Sequence, residues 1–308
     1  MNVDYASFKN AVDVLLKKKN IVGDKDVAVK RFIVDFEAHA FVRHAEFGDG
    51  MKMLELMSNE ASLLDGAKFN TNFALNLNDF VKAELSSNKT FRSVVKVLTT
   101  NKSKGVGIGE LVLPLLVAGW VRTNGSDGTV LGAHREVKNG DGASLKPVKT
   151  GLTNKGLVDE LNKKYFDGMV LGKKQHAQII EKYGDFSNDV YKQYFSELWP
   201  TADVNKLIEL LKNVGKDVNL FHSVVGRFIL KEYQKIDGWK SIVLVNPNTL
   251  DVVNISDVDD DTCFDKLHFS VRFSRMKDTQ AVPDGYAVVQ LRKERKQRKK
   301  KVDSNVNV

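Results

Sequence analysis

The chain has one cysteine, Cys263, in 308 residues, and that single thiol excludes an internal disulfide and a zinc site built from several thiolates. It fits a reducing compartment. Histidine is scarce as well. The six (His39, His44, His134, His176, His222 and His268) are scattered, and the nearest pair, His39 and His44, is five apart, whereas ligands on one helical face fall three or four apart. No G-x-x-x-x-G-K-[ST] run occurs, so the phosphate loop of nucleotide hydrolases is absent. Long apolar runs are missing too. The longest, Leu111 to Val121, is about half of the roughly 20 residues a membrane-spanning helix needs, which leads us to expect a protein without a membrane segment. The first ten residues, MNVDYASFKN, lack the basic and apolar regions of a secretory signal, and the expected location is the cytoplasm.

What is present is ordinary for a globular chain: 42% hydrophobic and 28% charged residues. The net charge of +8 is not spread evenly. The run RKERKQRKKK, residues 292–301, holds eight basic residues and one acid, and so accounts for seven of the eight net positive charges. Such a tail attracts phosphates in a salt-sensitive, sequence-independent way. Arg292, Lys293, Arg295 and Lys296 are therefore candidate nucleic-acid contacts, and a tail acting alone as a DNA-binding module is one reading of the chain.

Residues 1–100 read as mainly helical. Phe8, Val12, Leu15 and Leu16 form one apolar stripe ending in Lys17, Lys18 and Lys19. Asp24 or Asp26 caps a second helix through Phe41, and Met51, Leu54 and Met57 mark a short third one, with the methionines as core. Residues 70–78, rich in asparagine, suggest a loop or a short extended piece. Helical patterns return at 157–165, 174–183, 189–198, 204–211 and 221–233. From Trp239 the period becomes two: KSIVLVN and LDVVNIS make a hairpin, and LHFSVRF and YAVVQL are further strands. The expected class is α+β, built on one mixed sheet, with a helical N-terminal region (1–100), a core with C-terminal strands (101–291) and a basic tail (292–308).

The chemistry concentrates between Gly105 and Gly142. A glycine-rich loop with Lys102 and Lys104 precedes an apolar helix that opens with Glu110, and then come Asp127, a turn at Leu131 and Gly132, and the strand HREVK. With a two-residue turn there, strand partners sum to 263, which places Asp127 opposite Glu136. Glu136 and Lys138 share a face and Val137 points inward. Two carboxylates and an ammonium on one side of a hairpin suit Mg²⁺, with Mn²⁺ as the alternative ion, and His134 shares the face of Glu136. A metal held there stabilises phosphate charge and lowers the pKa of an attacking water, which a lysine helps to position. Lys146 and Lys149, in the basic loop after Gly142, join Lys102 and Lys104 as candidate phosphate contacts. Asp257, Asp259, Asp260 and Asp261 (DVDDD) fail the calcium-loop spacing and read as a solvated turn, and Trp120, Trp199 and Trp239 read as core.

The order glycine-Glu, apolar helix, Asp turn and Glu-Val-Lys resembles the PD-(D/E)XK nuclease superfamily, and in particular a group of tailed-phage proteins. Two features depart from it: Pro114 falls inside the apolar helix, and Ser126 stands where a glycine is usual. The resemblance implies a restriction-endonuclease-like core in which Asp127 and Glu136 hold the metal, Lys138 serves the water and Glu110 adds a helix-borne carboxylate. The function it implies is Mg²⁺-dependent DNA hydrolysis by a phage endonuclease in the host cell. The alternative is a non-catalytic virion protein of the neck or head that keeps the fold, oligomerises and contacts other phage proteins.

Overall fold

A computed structural model describes residues 4–23, 26–60, 63–77, 79–80, 87–100, 108–123, 128–141, 143–145, 157–246, 248–273 and 285–292. Among them the protein is α+β, as expected, with ten α-helices and nine strands.

The N-terminal helices form where the apolar stripes predict. Helix α1 (Tyr5–Lys18) is capped by Asp4, whose carboxylate accepts the Ser7 N–H at 2.8 Å, and it buries Phe8, Val12, Leu15 and Leu16. Asp26, one of the two candidates, caps α2 (Val27–Phe47). That helix runs six residues past Phe41, because nothing in that stretch breaks it until Gly48, which takes the left-handed conformation at φ 72°. Helix α3 (Gly50–Asn59) buries Met53, Leu54 and Met57 in the core as expected, while Met51 is half-buried and packs against its edge. Helix α4 (Lys89–Thr100) lies against α2, and α5 (Ile108–Leu116) follows. Pro114 is accommodated inside α5, without the N–H that would otherwise reach back to the Glu110 carbonyl.

A six-stranded sheet has the order β1 (Phe73–Asn76), β7 (Asp251–Ile255), β6 (Ser241–Val245), β4 (Ala133–Asn139), β3 (Gly128–Val130) and β2 (Trp120–Arg122). Only β4 and β6 run parallel, paired Arg135 to Ser241 through Asn139 to Val245. A parallel pair needs a crossover. Here it contains β5 (Ala143–Leu145) and the helices α6 (Leu157–Phe166), α7 (His176–Tyr183), α8 (Asp189–Leu198), α9 (Val204–Leu211) and α10 (Val218–Asp237). Every residue of β6 is buried, as befits a central strand covered on both faces. One face meets a core of α1 to α5 with Val137, Val243, Val245 and Val252; the other meets α6 to α10 with Ile242, Leu244, Val253 and Ile255.

The asparagine-rich 70–78 stretch holds the short extended piece expected there as one alternative, the edge strand β1, paired with β7. One sequence expectation needs correction. The strands do not all join one mixed sheet: β8 (Leu267–Arg272) and β9 (Tyr286–Leu291) combine with β5 in a separate antiparallel sheet of order β5-β9-β8. A period of two identifies a strand but not its partner, and here α10 chooses. Gly226 on α10 has no side chain where a Cβ would stand 2.4 Å from Phe269 of β8, so the small sheet docks on the helix. Gly140 stitches the two sheets together, its N–H donating to Val245 O at 2.8 Å and its carbonyl accepting from Leu291 N at 2.8 Å.

Candidate active site on strand β4

The site is set by the turn that precedes it. Leu131 and Gly132 have φ of 50° and 78°, both in the left-handed region, as the two-residue turn of a tight hairpin requires. The described pairs across it are Val130 with Ala133, Thr129 with His134 and Gly128 with Arg135, the register the sequence predicts. Glycine at 128 is required, since a Cβ there would stand 1.9 Å from Trp120 Nε1 on the neighbouring strand.

Alternation then divides β4. Arg135 and Val137 face the helices α1 to α5, while Glu136 and Lys138 face α10. Glu136 is 5% exposed, so the pair is not the surface decoration that Glu-x-Lys usually is on a hairpin. Lys138 Nζ forms an ion pair with Glu136 Oε1. Tyr233, near the end of α10, donates its hydroxyl to the same oxygen at 2.6 Å. The ammonium lies 6.0 Å from the centroid of the Tyr233 ring, and Trp239 packs edge-on against that ring at 5.8 Å. Burial, and then the Glu136 carboxylate, push the Tyr233 phenol far above its usual range, so it remains a donor throughout physiological pH.

Sequence reasoning missed Tyr233, which is 97 positions from Glu136 and has no local signal. It also missed Arg135. That side chain is fully buried, with Nη1 donating to Phe69 O at 2.9 Å and to Ser241 Oγ at 3.2 Å, and Nη2 to Asn70 Oδ1 at 2.8 Å. These neutral acceptors tie the 3₁₀ turn Gly66–Asn70 to the root of β4.

Glu110 is buried in the first turn of α5. Its neighbour Gly109 lies against Val137 and Val245, where a Cβ would come within 2.9 Å of both, and this is the face of β4 opposite Glu136 and Lys138. Asp127, Lys102, Lys104, Lys146, Lys149, Lys293, Arg295 and Lys296 lie outside the described residues. Arg292 is exposed, with its N–H on Lys266 O and its Nε on Leu267 O, both at 2.8 Å. The basic run therefore begins beside Leu291, whose N–H is held by Gly140 at the exit of β4. His134 is in β4 opposite Thr129, and its carbonyl accepts Lys240 N at 2.8 Å.

Among the described residues no three His, Cys, Asp or Glu side chains gather as a metal-ligand set. What they contribute is one buried carboxylate with a lysine beside it, a hard-oxygen donor of the kind Mg²⁺ accepts while keeping most of its waters. The DVDDD turn is the solvated turn expected of it, with all four aspartates exposed: Arg227 binds Asp261 at 2.6 Å, Lys231 pairs with Asp259, and Asn72 donates to the carbonyls of Asp257 and Asp260. The three tryptophans are core, none more than 2% exposed.

Comparison with known protein families, curated proteins and solved structures finds no match. No described helix is long and apolar enough to cross a membrane.

Proposed function

We propose that the chain is a Mg²⁺-dependent DNA endonuclease of PD-(D/E)XK type, encoded by a tailed phage. The observation that carries this reading is the buried Glu136 with Lys138 on one face of the strand that follows a register-fixed hairpin. The order of elements supports it: an apolar helix opening with an acid, an antiparallel pair of strands, then Glu-x-Lys. Glu136 and Asp127 would hold the ion, which supplies charge stabilisation at the phosphate and a more acidic water. Lys138 brings a positive charge and three N–H donors to the same place, suited to orienting that water or meeting developing negative charge. The basic run beginning at Arg292, rooted at the exit of β4, would hold the phosphate backbone near the site.

The test is incubation of the protein with supercoiled, linear and single-stranded DNA and Mg²⁺, alongside Lys138→Ala and Asp127→Asn. Cleavage by the wild type alone supports the assignment. Equal cleavage by all three, or none on any DNA, refutes it. Removing residues 293–308 should then weaken binding and flatten its salt dependence without abolishing cleavage.

A second reading has its own observation. Glu136 is already neutralised by Lys138 and hydrogen-bonded by Tyr233, an arrangement that a purely structural protein also favours. In that case the chain is a virion component of the neck or head that keeps a nuclease-like fold. A large symmetric ring by light scattering, without metal-dependent cleavage, would select it.

A further inference from the structure

Lys138 and Tyr233 reach the same carboxylate oxygen, Glu136 Oε1. A glutamate held only by a mobile lysine reorients whenever that lysine moves. A phenol on a rigid support does not let it. The support here is firm: α10 is capped by Asp217, which accepts from Asn219 N at 2.9 Å and Leu220 N at 3.0 Å, and stopped by Gly238 at φ 67°. Gln234, next to Tyr233, donates to Lys240 O at 3.4 Å and Ser256 O at 3.3 Å, which fastens the end of the helix to the large sheet. Farther back, Gly226 seats the helix on Phe269, and Arg227 and Lys231 anchor it to the turn at 258–261. Trp239 packs edge-on against the ring.

We propose that Tyr233 is a positioning residue, whose hydroxyl fixes Glu136 through Oε1 so that Oε2 is presented to a divalent cation while Lys138 is released from the carboxylate to serve the water. The proposal rests on the phosphodiesterase reading of β4 and deepens it. The two tasks of the motif, holding an ion and assisting a water, conflict as long as lysine and glutamate neutralise each other. The phenol removes the conflict because it is neutral. It keeps the carboxylate oriented without cancelling its charge, the relation that outer hydrogen-bond partners have to metal ligands generally.

The experiment measures Mn²⁺ binding to the full chain by electron paramagnetic resonance, without DNA, in wild type, Tyr233→Phe, Glu136→Gln, Lys138→Ala and Tyr5→Phe. Thermal melts of each variant confirm folding. Expected are loss of binding in Glu136→Gln, weakening by about 10-fold in Tyr233→Phe, retained or tighter binding in Lys138→Ala, and no change in Tyr5→Phe. Wild-type affinity in a folded Tyr233→Phe would overturn the positioning role and leave the site standing. Wild-type affinity in Glu136→Gln, or no binding by the wild type, would overturn the site itself and the inference with it.

Discussion

Among the described residues a tyrosine, a glutamate and a lysine come together twice in partly buried surroundings, and the two copies differ in one respect. Between α1 and α2, Tyr5 donates to Glu37 Oε1 and Lys9 binds Glu37 Oε2 at 3.0 Å. Each oxygen has its own donor, and the group closes on itself. On β4 both Tyr233 and Lys138 converge on Oε1 of Glu136. Two further tyrosine-lysine pairs also converge on one oxygen, at Glu197 and Asp167, but those carboxylates have side chains 42% and 60% exposed, where water completes them. The trio by itself is thus a packing unit of this chain. What sets the β4 copy apart from the closed one is an oxygen on which neither described donor falls, and what sets it apart from the two exposed pairs is burial, a side chain 6% exposed.

The largest test of that difference is activity. Lys138→Ala should lower Mg²⁺-dependent DNA cleavage by about 10³-fold, within the range for removing a group that assists proton transfer. Lys9→Ala, the same change in the closed copy, should leave the rate alone. Initial rates on plasmid DNA decide it, and equal losses from both variants would make the two copies functionally equivalent.

Stability comes next. Lys138→Met removes the cation but keeps the stem, leaving the buried Glu136 charge with the phenol alone. Stranding a buried charge in this way costs about 3 kcal/mol, to be read from the urea midpoint at constant slope. Lys9→Met leaves Glu37, whose side chain is likewise only 9% exposed, with Tyr5 as its remaining donor, but Lys9 is half exposed and water can take its place, so its midpoint should fall by less.

Alkaline pH separates the two phenols. Burial first, and Glu136 second, raise Tyr233; Tyr5 is raised by its hydrogen bond to Glu37 but is exposed. A raised phenol pKa means that the unfolded chain ionises near pH 10 while the folded one keeps its proton. Stability is therefore complete below that pH and falls as pH climbs above it. Tyr233→Phe should remove a larger part of the decline in melting temperature between pH 9 and 11 than Tyr5→Phe does. Identical curves for the two variants would remove the distinction.

These contrasts also show what a linear sequence can carry. Helices α8 and α9 have the predicted bounds because Pro200 stops the first and an uninterrupted apolar stripe defines the second. The β3–β4 register was legible because a two-residue turn leaves no slack. Tyr233 was not, since its meeting with Glu136 depends on how a 20-residue helix docks between two sheets. Arg135 was not legible either: its burial is tolerable only because the carbonyl of Phe69 and the amide of Asn70 are brought up from a distant turn.

The smallest expected effect concerns the turn on which the β4 copy depends. Leu131 is 64% exposed and held at φ 50°, a conformation that leucine adopts at a cost of roughly 1 kcal/mol and asparagine adopts readily. Asn-Gly is the preferred pair for such a turn, so Leu131→Asn should stabilise the chain by up to about 1 kcal/mol, less whatever the leucine contributes by packing on Gly119, where a Cβ would stand 3.0 Å from its Cδ2. Cleavage should be unchanged, because the register across Val130 and Ala133 is kept. Inserting one glycine after Gly132 tests the same turn in the opposite sense. It frees the register and lets β4 slip by one residue, which would turn Glu136 and Lys138 toward α5. The closed copy between α1 and α2 depends on helix packing and would not respond. Loss of Mn²⁺ binding in the insertion variant, with α1 and α2 still protected from hydrogen exchange, would show that the hairpin and not the trio makes the site.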